Sequence, residues 1–411
     1  MPMKHYFADF HVHIGSTSEG RPVKVTASRK LTFSALIEEC YRRKGIDMVG
    51  VVDCASPGVL SDIDGLIGKG VVCELPEGGL IHRDRVTVIL GAEVECVEDG
   101  GGVSHHIAYF PYLRQMKEFS ALMRRHIKNI ELSSQSCGIP ARELNAVIKA
   151  TGGIHVPAHA FTPHKSVYGR ACRRLSELFP EEGHESVAAI ELGLSADSSI
   201  ADMLEELAEV CFLSNSDAHS AGRIGREYNI LAIEAPTFQE MVLAFRRVQG
   251  RSLVANFGLD PRLGRYHRSY CTSCRQVATG PPPILSCPLC GARGGSFAKG
   301  VLDRAREIGD FQEPRHPDHR PPYHHQIPLE LVPGLKSALM ARLIEHFGSE
   351  MAVLHTAEKR ELVRVVGLSL AADIVRAREG SQELVSGGGG HYGKVRGAKS
   401  HSLQLTFSFD T

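Results

Sequence analysis

The sequence has no net charge, no membrane-length apolar run and no low-complexity or fibrous pattern, and each absence narrows what it can be. With 47 Lys+Arg against 47 Asp+Glu in 411 residues, any binding to a polyanion must come from local clusters rather than overall basicity. No apolar stretch approaches the roughly 20 residues that cross a bilayer. Residues 1–13 carry no secretory h-region, so the expectation is a cytoplasmic protein. A composition of 43% hydrophobic and 23% charged residues excludes wholesale disorder. At this length the chain holds two or three domains, or one barrel of 200–250 residues plus small modules.

What is present is histidine and cysteine. Eleven cysteines in a reducing compartment read as thiols or metal ligands rather than disulfides. The 21 histidines often stand beside aspartate or another histidine, which points to metal. Charge is also uneven along the chain: residues 251–306 hold 9 basic and 2 acidic side chains, a local cluster suited to phosphates.

Hydrophobic periodicity predicts strands over residues 6–11, 47–53, 86–93, 105–110, 154–158, 187–191 and 211–215. It predicts helices over 32–44, 113–129, 140–151, 200–210 and 237–249. This alternation argues for an α/β fold with a mainly parallel sheet or barrel over residues 1–250. Residues 251–309 form a separate small module, 310–327 a Pro/His-rich linker, 328–385 a helical region, and 386–411 a flexible tail.

The predicted strand ends carry the chemistry. His11 and His13 follow the first strand, Asp53 the second, Glu93 the third, His159 the fifth, and Asp217 with His219 the seventh, while His105 opens the fourth. Strand ends of an α/β barrel converge on one face, so these residues meet in space. H-x-H and D-x-H spacings put alternate side chains on one side of an extended segment. His106 then points away from His105. His5, His82, His126, His164 and His184 have no such placement and read as surface residues.

These residues resemble the PHP (polymerase and histidinol phosphatase) family of metal-dependent phosphoesterases. The carrying motifs are Asp9-Phe-His11-Val-His13, Gly91-Ala-Glu93, His105-His-Ile-Ala-Tyr109, His159 and Ser216-Asp217-Ala-His219. The resemblance implies a distorted (β/α)7 barrel with two or three divalent ions (Zn, Mg or Mn) on His11, His13, Glu93, His105, His159, Asp217 and His219. Asp53 is a further candidate ligand, and Glu93, Asp217 and His219 carry the catalytic roles. One departure is Val52-Asp53-Cys54, where the family's second motif reads Thr-Asp-His; a two-metal core is therefore the safer expectation.

Cys271-x-x-Cys274 and Cys287-x-x-Cys290 have the spacing of a four-thiolate zinc ribbon, one structural zinc that would also fold a segment with little core. Arg265 and Arg268 flank it and read as DNA-binding. Gly334 with Lys336, and Gly367, precede helical stretches in a pattern resembling paired helix-hairpin-helix motifs, whose backbone N–H groups meet DNA phosphate. Barrel, ribbon and helical region together resemble the endonuclease Q family of DNA repair nucleases. That resemblance implies cleavage on the 5′ side of uracil, hypoxanthine, xanthine or an abasic site, with Phe161, Tyr168 and Asn215 as pocket candidates. A small-molecule phosphatase of the histidinol phosphate type, a DNA exonuclease and a non-enzymatic DNA-binding scaffold are the alternatives.

Overall fold

The computed structural model describes residues 2–395; the expected tail over residues 396–411 lies outside them. All seven expected strands of the first region are present. They are β1 (Lys4–Val12), β2 (Met48–Val51), β3 (Val86–Val97), β4 (Val103–Phe110), β5 (Ile154–Pro157), β6 (Ile190–Glu191) and β7 (Phe212–Leu213). β1, β2 and β3 pair in parallel, β4 runs antiparallel between β3 and β5, and β6 pairs in parallel with β7. Ala188 N donates to His155 O at 2.8 Å, linking β5 to the start of β6. The chain beyond β7 returns to β1, where Val12 bridges Ala218 and His13 N donates to Ala218 O at 2.9 Å. Residues 86–94 of β3 are all buried, as expected of a strand covered on both faces.

Three further strands extend this sheet beyond β1: β8 (Tyr228–Ile233), β9 (Ser252–Gly258) and β10 (Tyr323–His325). β8 is antiparallel to β1 and β9, and β10 runs parallel to β9. A domain boundary at residue 250 would therefore cut between two hydrogen-bonded strands. The segment 310–327 is also no free linker, because β10 lies within it and Arg320 makes close contacts with Asp202.

That strap explains why residues 200–210 are not the expected helix. Only Ser198–Ala201 and a 3₁₀ turn at Glu205–Leu207 form. Arg320 donates to Asp202 Oδ1 at 2.8 Å and to the carbonyls of Leu207 and Val210, while Asp310 N takes Met203 O. Carbonyls that would continue the helix are taken by the strap, a tertiary override of local propensity. Elsewhere local signals hold: Thr32 Oγ1 accepts from Ala35 N and starts Phe33–Glu39, as an N-cap should.

Helices Ser337–Phe347, Glu350–His355, Lys359–Val366 and Leu368–Arg378 pack onto the strands. Lys44 Nζ, nearly buried, donates to Glu350 Oε2 at 3.0 Å, and Tyr228 OH meets His355 Nε2 at 2.6 Å. One continuous apolar core includes Val51 and Leu90 of the strands together with Leu343 and Ile374 of the helices. Residues 384–395 form a hairpin, Leu384–Val385 paired with Lys394–Val395. Gly387 N and Gly393 N donate to Arg262 O and Leu263 O, so this part is docked rather than loose.

Candidate active site

The strand-end residues do converge. Three groups have ligand atoms close enough to share an ion: His11, His13 and Glu93; His13, Asp217 and His219; and Glu93, His105 and His159. Glu93 Oε1 lies 2.9 Å from His105 Nδ1, 3.4 Å from His159 Nε2 and 3.7 Å from His11 Nε2. Asp217 Oδ1 lies 3.6 Å from His11 Nε2, 3.4 Å from His13 Nε2 and 3.6 Å from His219 Nδ1. His106 points to the other side of β4, bonded to Ser104 Oγ and His155 Nε2, as the strand alternation requires.

The backbone around the cluster is shaped to present it. Asp217 and His159 have φ of 46° and 32°, a region non-glycine residues enter at a cost and mostly where function holds them. Gly193 sits against His159, whose Cβ would lie 2.8 Å from an added Cβ; only glycine lets the two segments approach.

Second-layer carboxylates fix the imidazoles. Glu191 Oε2 accepts from His11 Nδ1 and Asp53 Oδ1 from His13 Nδ1, both at 2.8 Å. Each ring then turns an unprotonated Nε2 inward, and the two Nε2 atoms are 3.2 Å apart. Two lone pairs at that distance repel unless a cation lies between them, so the donor set fits a divalent ion. Carboxylate-held histidines of this kind are the usual support of metal ligands. Asp53 thus orients His13 rather than belonging to any ligand group, which corrects its reading as a ligand. Glu191 was missed, because a glutamate at a strand end without a histidine neighbour gives no spacing signal.

Without an ion between the rings, burial opposes a charged His11, but Glu191, Asp217 and Glu93 outweigh it and raise its pKa to about 10; a proton then takes the inward position, from which a divalent ion would displace it. Burial likewise opposes ionised Glu93 and Asp217, yet the surrounding His and Lys charges hold both well below the usual carboxylate range. Such a cluster retains its negative charge and attracts cations.

A cavity of about 200 Å³ opens from this cluster. Its walls include His105, His159 and Asp217, Arg226 bonded to Ser216 O and Asp217 O, and Arg265, Tyr266 and Tyr392. Arg265 packs 5.0 Å over the Tyr266 ring and 5.7 Å over Tyr392. The expected pocket residues do not line it. Phe161 and Tyr168 are buried and stack on each other at 5.1 Å, because their apolar rings belong to the core. Asn215 is buried below, donating to Glu191 Oε2 at 3.0 Å. Among the five histidines read as surface, His82 is buried and bonds Val71 O, and His164 lies at the cavity mouth.

Cys271, Cys274, Cys287 and Cys290 gather as one group. Cys271 Sγ is 3.7 Å from Cys290 Sγ and Cys287 Sγ 3.8 Å from Cys274 Sγ, the edge lengths of a tetrahedron with arms of about 2.3 Å. Arg268 is engaged inside this module with Asp303 and Gly280 O. Gly334 and Gly367 have φ of 82° and 83° and flank a shared groove of about 340 Å³; Lys336 is exposed beside them.

No family model matches the chain. Fold and site nevertheless define an α/β protein with a cluster of metal-capable side chains at its strand ends. The solved structure of the lesion-specific endonuclease PfuEndoQ from Pyrococcus furiosus is 31% identical, with a TM-score of 0.79 over 96% of this chain and 95% of that one. An endonuclease Q complex with a 27-mer duplex bearing an abasic lesion at the active site matches at the same identity and TM-score, over 96% of each chain. The uncharacterized protein YqxK of Bacillus subtilis is 42% identical over 396 residues, 96% of this chain and all of that protein. The chain belongs to the endonuclease Q family. Among the described residues no helix is long and apolar enough to cross a membrane.

Proposed function

We propose that this protein is a metal-dependent DNA repair endonuclease that hydrolyses the phosphodiester on the 5′ side of a deaminated base (uracil, hypoxanthine or xanthine) or an abasic site. The observation that supports it is the cavity itself, which joins the metal-capable cluster directly to an arginine and tyrosine wall. Enzymes that act on a base within a duplex extrude it, and a mispaired or missing base is cheapest to extrude. Tyr266 and Tyr392 offer rings for stacking, and Arg265 and Arg226 offer donors to phosphate or base edges.

His11, His13, Glu93, His105, His159, Asp217 and His219 would hold two divalent ions. Such ions make a bound water acidic enough to attack and stabilise charge on the phosphoryl group. Glu191 and Asp53 keep His11 and His13 in the tautomers that face inward. Asp217, 32% exposed at its side chain, is the carboxylate of the cluster that reaches the cavity, where it stays ionised and would orient an attacking water. The ribbon and the Gly334 and Gly367 turns would grip backbone phosphates without reading sequence.

The test is a circular plasmid with or without uracil, incubated with the protein and Mg or Mn. Nicking that depends on the lesion is expected. Equal nicking of both plasmids would leave a general nuclease, and release of phosphate from small esters alone would favour the phosphatase.

A further inference from the structure

Glu93 presents two different sides. Oε1 faces His105, His159 and His11, an imidazole environment. Oε2 faces Lys24 Nζ at 3.0 Å and the Ser134 hydroxyl, with His13 Nε2 farther off at 3.5 Å. The next hydroxyl, Ser133 Oγ, donates to Asp53 Oδ1 and lies 3.2 Å from Ser134 Oγ. Glu93 Oε2, Ser133 and Ser134, backed by an Asp53 whose oxygens are held by His13 Nδ1 and Ile14 N, make a nook lined mostly by oxygen, the donor type that hard cations prefer.

Lys24 reaches this nook by design of the chain. After β1 the backbone doubles back, so that Val23 N bonds Gly15 O and Lys24 N bonds Ile14 O; Ser133 N takes Val23 O. The two loops lock together with the ammonium between them. Its side chain is only 14% exposed, and the Asp53 and Asp217 charges act on it as well as Glu93. Cys54, next to Asp53, supplies nothing here because its Sγ turns into the core toward Val51 O at 3.1 Å.

We propose that Lys24 is a built-in cation that fills the oxygen-lined position beside Glu93 Oε2, so that the barrel cluster holds two divalent ions and excludes a third. The proposal rests on reading the cluster as a metal site and is independent of which lesion is cut. Lysine suits the role because its ammonium is a compact point charge with three donors, enough for Glu93 and Ser134 at once. A positioned ammonium occupies Oε2 while leaving Oε1 to the imidazole-held ion.

The experiment counts metal per chain by mass spectrometry on full-length protein equilibrated with millimolar Mn and then desalted. Wild type should hold three ions, two in the barrel and one on the cysteines. Lys24→Ala opens the nook and should hold four. Lys24→Met keeps the volume without the charge; it should stay at three, and its barrel ions should bind at least tenfold tighter in chelator competition because nothing competes for Glu93. Four ions in wild type, or three in folded Lys24→Ala, overturns the proposal. If Lys24→Ala does not fold, Lys24→Met decides, and unchanged or weaker binding overturns it. A single ion in wild type, on the cysteines, would remove the barrel metal reading itself and this proposal with it.

Discussion

Replacing Glu191 by glutamine tests the support of the cluster without touching a ligand. Glu191 is fully buried, and its two oxygens accept three hydrogen bonds: His11 Nδ1 at 2.8 Å, Asn215 Nδ2 at 3.0 Å and His159 N at 3.2 Å. A glutamine has one accepting oxygen and an NH₂, so at least one of these donors then faces another donor. Leaving one buried donor unsatisfied costs about 1–3 kcal/mol, and His11 also loses the charge that holds its Nδ1 proton. Loss of such a support generally weakens metal binding about 10–100-fold, equivalent to about 1.4–2.8 kcal/mol. Chelator competition measures this directly, because the ribbon ion serves as an internal reference in the same molecule. The expected result is a 10–100-fold loss confined to the barrel ions, with the ribbon ion unchanged. Barrel affinity equal to wild type in a folded Glu191→Gln would refute the role given to the His11–Glu191 pair.

Asp217→Asn should abolish cleavage while DNA affinity stays within a few-fold, checked by nicking rate and by gel shift on one oligonucleotide; wild-type nicking would reassign the residue. Cys271→Ser with Cys274→Ser should lower zinc by one per chain and leave the barrel ions, read by metal analysis. Glu227 is buried, and burial raises its carboxyl pKa to about 8. A raised value means its contribution to stability is complete below the ordinary value and is lost as pH rises toward about 8. The melting temperature of wild type should therefore fall between pH 5 and 9 more steeply than that of Glu227→Gln, and parallel curves would contradict the assignment.

Much of the site was legible because its residues sit at strand ends with alternate spacing: His11 with His13 and Asp217 with His219 need no partner elsewhere to be noticed. The seven strands were legible for a related reason, since short buried runs repeat between amphipathic stretches. What escaped is what depends on distant chain. Glu191 and Lys24 acquire their roles from contacts made 180 and 69 positions away. The strands Tyr228–Ile233 and Ser252–Gly258 lie on either side of a helix, and the second was hidden by the change of composition at residue 251. Phe161 and Tyr168 were misread because an aromatic ring near a strand end looks the same in sequence whether it faces the cavity or the core.

The docked hairpin at residues 384–395 bears on how the protein comes into being. Every residue of the imidazole and carboxylate cluster lies within the first 219 positions, yet Tyr392 closes the cavity wall from nearly the far end of the described chain. A growing chain thus carries every residue of the cluster well before it carries the last residue of the cavity wall. Because the C-terminal helices share one core with the strands, the strand-end cluster and the far end of its cavity wall rest on the same buried apolar surface, which is not complete without the last described residues.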